Sequence, residues 1–429
     1  MTVTDWLQAN MHRLRTLDPA DEDFGDLEPL REIVGDARVV SIGESTHRIH
    51  EFYDVRHRLT RFLVRELGFT ALVMESGFAE GFAVDAWVQG GPGDLTDLLF
   101  NGITYHMGKC EEVRDQLSWM REYNTTHGRK VRFYGMDVAD YGASARPAVE
   151  VVLAFLDDAD PDYAKALREH LLPLFDYLPA DRTGLAWQAP TLQAYMALPA
   201  AARYELTARI NQMAEWVAAK RVVYAERAGA AATDIACRCA ATARHTDAFL
   251  AGFALGEERT YGGGNVRDLA MAENVEWILE REDRIVIGAA NGHVQRWPFH
   301  VPPIINEGLT MLGEHLAHSI DGAMVVIATT IGGGTMWLHR PVPDAPPGHT
   351  EVFTEELGPV DEPRSLDTLL AGAGLPLGML DLRSVPKDGP VGERFGALEG
   401  VLHGPHLVLL DPRVAFDAAV YIDRVTPWH

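Results

Sequence analysis

The chain has 429 residues, 47% of them hydrophobic, which is enough for a large core and for more than one structural unit. Its 62 acidic residues against 38 basic ones leave a formal charge of −24, which disfavours nucleic acid and anionic membranes as partners and leaves a small molecule as the natural ligand. Three cysteines (Cys110, Cys237 and Cys239) match neither a disulfide framework nor a paired CxxC zinc site. With no leader-like segment and no membrane-length apolar run, the expectation is a cytoplasmic protein.

Apolar residues at Trp6, Leu7, Met11, Leu14 and Leu17 predict an opening amphipathic helix, and Leu27 to Gly35 a second short one. The β-branched run Val39 to Ile42 predicts a buried strand that bends at Gly43, with Glu44 and His47 following three residues apart. From about Glu51 to Leu67 the residues Phe52, Val55, Leu59, Phe62 and Leu63 make one apolar helix face. Arg56 lies off that face, where a solvated arginine is the ordinary case.

A second strand, Thr70 to Met74, runs into Glu75. Helices follow at Ala79 to Val88, Asp94 to Phe100 and Val113 to Tyr123, and Tyr105, His106, Lys109 and Glu112 between the last two suit the wall of a pocket. The third strand, Val131 to Tyr134, leads to Gly135 and Asp137. From about residue 145 to 260 the chain is alanine-rich and helical, cut by prolines, and reads as an inserted second lobe between core segments 1–144 and 261–429. Its aromatics, including Trp187, Tyr195, Tyr204, Trp216 and Tyr224, are expected to pack the lobe.

Gly262 to Gly264 read as a hinge-like link, and Asn265 as the cap of a helix from Val266 to Glu280. Arg267 and Asp268 fall on its first turn; the aspartate suits the helix dipole and the arginine does not, so Arg267 wants another partner, for which a carboxylate in the site is one candidate. The fourth strand, Arg284 to Gly288, is followed by His293, and a fifth, Ala323 to Ala328, by another glycine triplet. Short strands near Met379 to Leu382 and Leu407 to Leu410 complete the sheet. The fold class is therefore α/β, with a central mainly parallel or mixed sheet and a large helical insertion.

Glu44, His47, Glu75, Asp137 and His293 all follow strands, and in open α/β sheets ligands bind at such carboxyl ends. Two chemistries suit them. An imidazole backed by a carboxylate can take a proton from water, and the hydroxide then attacks an ester carbonyl. The same atoms can instead ligate a divalent ion that activates water. No GxSxG elbow points to a serine nucleophile.

Six stretches taken together, GESTH at 43–47, HEFYDVRHRL at 50–59, LVMESG at 72–77, FYGMD at 133–137, VRDLAMAENVEWI at 266–278 and AANGHV at 289–294, resemble the erythromycin esterase family in order and over nearly the whole chain. The resemblance implies a three-layer α/β core with a helical lobe over an open cleft, and hydrolysis of an ester or macrolactone in a bulky natural product with no metal and no cofactor. It makes His47 the general base, Glu44 its orienting carboxylate, His293 a second imidazole and Glu75 part of the same network. Arg56 and Arg267 become supports for carboxylates or a developing oxyanion. An acyltransferase or cyclase in the same cleft is the alternative within that chemistry, and a metal- or haem-binding protein the alternative of another class.

Overall fold

The strands at the centre of the molecule are apolar on both faces because helices cover both faces of the sheet. The structure, a computed structural model, describes residues 1–105, 107–138, 144–178, 189–254, 263–320, 322–342 and 350–429. Eight strands form the central sheet: β1 (His12–Arg13), β2 (Val39–Glu44), β3 (Ala71–Gly77), β4 (Arg132–Asp137), β5 (Ile285–Ala290), β6 (Met324–Ile331), β7 (Leu377–Asp381) and β8 (Ala418–Ile422). Their spatial order is β1-β7-β8-β6-β2-β5-β3-β4. From β8 to β4 neighbours are parallel, while β7 and the two-residue β1 add antiparallel at one edge, so the expected mixed sheet is present.

Alternate residues of each strand feed opposite layers. Val40, Ile42, Leu72, Met74 and Val286 join Val55, Leu59 and Phe62 of the His50–Leu67 helix in one core. Val39, Ala71, Val73, Ile285 and Ile287 join Met271, Val275 and Ile278 of the Gly263–Leu279 helix in the other. Between residues 146 and 254 the described elements are helical and bury a third cluster, which includes Val152, Leu156, Ile210, Met213 and Val217. Phe78 and Ala79, at the start of the helix after β3, belong to that cluster too, and Trp277 packs against it, which ties these helices to the sheet layers. Tyr195 and Tyr224 are buried in it as expected, Tyr204 and Trp216 are exposed, and Trp187 lies outside the described residues. Among the described residues no helix is long and apolar enough to cross a membrane.

Four expectations need correction. The opening helix is Val3–Asn10, not Trp6 to Leu17, because the chain then turns to pair His12 and Arg13 with Met379 and Gly378, whose edge groups are open to it. Leu14 still enters the core, so one apolar periodicity serves two elements. The segment at Leu407 to Leu410 is half of a separate hairpin, Gly400–His403 with His406–Leu409, and does not extend the central sheet. Gly263 and Gly264 begin a helix and Gly262 lies outside the described residues. Asn265 sits inside that helix and accepts a hydrogen bond from the Thr310 amide at 2.8 Å, so it is not a cap.

Candidate active site

The C-terminal ends of β2, β5, β3 and β4 lie side by side, with Glu44 opposite Ala290 and Gly77 opposite Asp137. Between Met74, paired to Gly135, and Gly77 the strand β3 carries one residue more than β4, a bulge that re-aims the backbone at Glu75. Glu44, Glu75 and Asp137 therefore lie within the last residues of their strands, not beyond them. Gly43 does not make the bend. It sits in β2, where a Cβ would lie 2.1 Å from the Asn291 side-chain oxygen, and the left-handed backbone of the turn falls at Arg48, with φ 67°.

Two charged clusters meet there. In the first, Glu44 Oε1 bonds His47 Nδ1 at 2.5 Å, and Arg56 Nη1 lies 3.4 Å from Glu44 Oε2. Arg56 is buried, against the expectation of a solvated arginine, with its guanidinium 4.3 Å from the Tyr53 ring centroid. It fits because position 288 on β5 is glycine: a Cβ there would come within 2.5 Å of Arg56 Cδ.

In the second, Arg267 finds the carboxylates its helix position demanded. Its Nη2 donates to Asp137 Oδ2 at 2.5 Å and to Glu75 Oε1 at 2.9 Å, while Nε donates to Asp137 at 3.0 Å. The Tyr105 hydroxyl donates to Asp137 at 2.8 Å, and the Ala290 amide to Glu75 Oε2 at 2.9 Å. His293 Nδ1 bonds Asp268 at 2.8 Å, and its Nε2 lies 3.3 Å from Glu75 Oε1. That same oxygen is 3.9 Å from His47 Nε2, so Glu75 stands between the two imidazoles.

The electrostatics follow from this packing. Burial alone would lower the pKa of His293, but Asp268 and Glu75 outweigh it, against the opposition of Arg267, and raise it to about 10. For His47, burial is likewise outweighed, by Glu75 and then Glu44, and the pKa lies above its ordinary value. Burial would raise the Glu75 carboxyl, yet His293, His47 and Arg267 hold it well below the usual range. The Tyr105 hydroxyl is pushed well up, chiefly by burial, and remains a donor.

The site thus unites His47, Glu44, Glu75, His293, Arg56, Arg267, Asp137 and Tyr105 in one connected set of charges at a strand-end cleft. A family profile with the description Erythromycin esterase matches residues 64–425.

The chain belongs to the erythromycin esterase family.

Erythromycin esterase type II of Escherichia coli is 27% identical to it over 402 residues, which is 90% of each chain. The solved structure of a mutant of the erythromycin esterase EreC in its open conformation superposes with a TM-score of 0.80 at 19% identity, over 98% of both chains. A crystal structure of a Bacillus cereus protein gives 0.79 at 22% identity, over 99% of this chain and 98% of that one. These likenesses place the fold, and the family membership makes the chain a hydrolase of the esterase class.

Three sequence-level readings fared differently. His106 lies outside the described residues. Glu112 turns away from this cluster and bonds His50 at 2.6 Å. Asp268, read only as a helix-dipole residue, is the partner of His293 and also accepts the Leu312 amide at 2.9 Å; its position next to Arg267 was the available signal. His403 was missed altogether. It ends the first strand of the Gly400–His403 hairpin, and its ring meets Phe299 at 6.3 Å. A Cβ on Gly292, the neighbour of His293, would lie 2.8 Å from Phe299. Burial, with His47 and His293 adding, lowers the His403 pKa to about 4, so this third imidazole stays neutral. A histidine at a strand end before a Gly-Pro turn was the same kind of signal as His293.

Proposed function

We propose that the protein hydrolyses an ester or macrolactone bond in a bulky, largely apolar natural product, with His47 as the general base and no metal in the catalytic cleft. The observation that carries this reading is the exposure of one group: the His47 side chain is 35% open, whereas those of Glu44, Glu75, Asp137, Arg267 and His293 are all 12% or less. His47 is the member of the network that can meet a substrate. The family membership and the kinship with erythromycin esterases of Escherichia coli supply the substrate class, a macrolide.

Glu44 accepts the Nδ1 proton of His47 and leaves the Nε2 lone pair facing Glu75. A water between them gives its proton to Nε2 as its oxygen attacks the ester carbonyl. The tetrahedral oxyanion gains from the positive charge on His293 and Arg267. Collapse breaks the acyl–oxygen bond, and the proton on Nε2 passes to the leaving alkoxide, which restores His47. Arg267 and Arg56 support the metal-free reading, because these fixed cations already neutralise the carboxylates that a divalent ion would need.

The test is mass spectrometry of macrolides and simpler lactones incubated with chelator-treated protein in heavy-oxygen water, with His47→Ala alongside. The expected product is heavier by one labelled water and absent with the variant. Turnover by His47→Ala refutes the base. An absolute requirement for added metal that persists in the His429→Ala variant refutes the metal-free cleft, and a product formed only when an alcohol is supplied moves the assignment to acyl transfer.

A further inference from the structure

Outside the catalytic network, among the described residues, one group of potential ligands converges: His50, Glu112 and His429 each present a donor atom, all within 4.8 Å of one another. His50 Nδ1 is 2.6 Å and His429 Nδ1 3.1 Å from Glu112 Oε1, and the two rings meet edge to face at 4.4 Å. We propose that these three residues bind one divalent metal ion, with zinc best matched to two imidazoles and a carboxylate, at a site separate from the catalytic cleft.

The site is built, not a chance encounter of surface side chains. The Glu112 side chain is 3% exposed, and its second oxygen is buried with no hydrogen-bond partner, so half of the carboxylate has nothing to bind. His429 is held by its own backbone, whose carbonyl accepts the Glu111 amide at 2.9 Å and whose amide donates to Glu112 at 3.0 Å. The His50 amide donates to the Thr426 carbonyl at 2.9 Å. Asp54 Oδ2 lies 3.2 Å from His50 Nε2, an outer carboxylate paired with the far side of the ligating ring. When the ion takes the place of the proton on His50 Nδ1, that proton leaves to solvent and Nε2 keeps its proton beside Asp54.

The ligands come from three segments: the His50–Leu67 helix, the Glu111–Thr126 helix and residue 429. An ion would staple them together three residues beyond His47. Its effect is on the rigidity of the catalytic turn, and the reaction does not pass through it.

The experiment strips the full chain with chelator, then titrates zinc or cobalt chloride. The expected results are one ion per chain by elemental analysis, a visible cobalt band, and a thermal midpoint raised by about 3 °C at roughly one hundred times Kd. His429→Ala, at a side chain 61% exposed and hence safe for folding, should weaken binding at least about tenfold, and Glu112→Gln likewise. His47→Ala should bind as the unaltered chain does. No stoichiometric binding overturns the proposal, as does binding that survives both His429→Ala and Glu112→Gln, or binding lost with His47→Ala instead.

Discussion

Replacement of Glu44 and His47, singly and together, tests whether the carboxylate acts on the reaction only through the imidazole. Loss of a positioned general base lowers the rate by about 10²–10⁴, or roughly 2.7–5.5 kcal/mol in the barrier. Glu44 is 2% exposed and bonds His47 Nδ1 at 2.5 Å, so its charge acts on the imidazole in a site with little water. A hydrogen bond to a charged group contributes about 1.5–3 kcal/mol, and Glu44→Gln keeps the shape while removing the charge, so kcat/KM should fall about 10- to 100-fold. In the His47→Ala background the same change should cost almost nothing, because no imidazole remains to orient. The assay is kcat/KM on a hydrolysed macrolide for the four proteins, with urea unfolding of each to confirm that they are folded. Multiplicative losses in the double variant would refute the reasoning, since Glu44 would then touch the reacting atoms itself.

Acidification should silence the enzyme from above the ordinary histidine range. The base must be neutral and the His47 pKa lies above 6.5, so the ascending limb of kcat/KM lies above pH 6.5. Glu75→Gln should move it down; a limb at or below 6.5 in the unaltered chain, or one that does not move, counts against the base. The raised pKa of His293, about 10, stabilises the fold fully below pH 6.5, and that contribution disappears as pH rises through 10, so the thermal midpoint should fall between pH 7 and 10. Less of that fall in His293→Asn would confirm the source, and an equal fall would refute it. Arg267→Met leaves Asp137, fully buried, without its counter-charge and should cost about 3–5 kcal/mol in urea unfolding, part of it recovered by adding Asp137→Asn. A loss under about 1 kcal/mol would mean that water enters the cluster. Gly288→Ala pushes a methyl to within 2.5 Å of Arg56 Cδ and should cost about 1–3 kcal/mol and reduce activity by displacing Arg56 from Glu44. Unchanged stability and activity would show that Arg56 is free to move.

The strands and the residues at their ends were legible because both faces of the sheet are buried: runs such as Ala71–Met74 and Ile285–Ile287 are apolar without interruption, and a charge that breaks such a run marks where the sheet stops. The same logic made Arg267 conspicuous, a cation on an early helical turn with no local partner. Local pattern failed where one periodicity fits two structures. Leu14 reaches the core from beside a two-residue edge strand, where the sequence alone reads as more helix. Arg56 looked solvated because its helix is amphipathic, and only the missing side chain at Gly288, far away in sequence, gives it a buried berth.

By itself, then, the sequence determined the α/β class, the five acidic and imidazole groups at the strand ends, and the family, since each is read from short local stretches of the chain. The tertiary structure alone decided which charges pair. Asp268 with His293, Arg267 with both Asp137 and Glu75, and His403 beside the cleft all depend on strand order and on helices that cross the sheet. Charge pairing is governed by distances of a few ångströms between side chains, and nothing in a linear chain records those distances until β5 lies between β2 and β3.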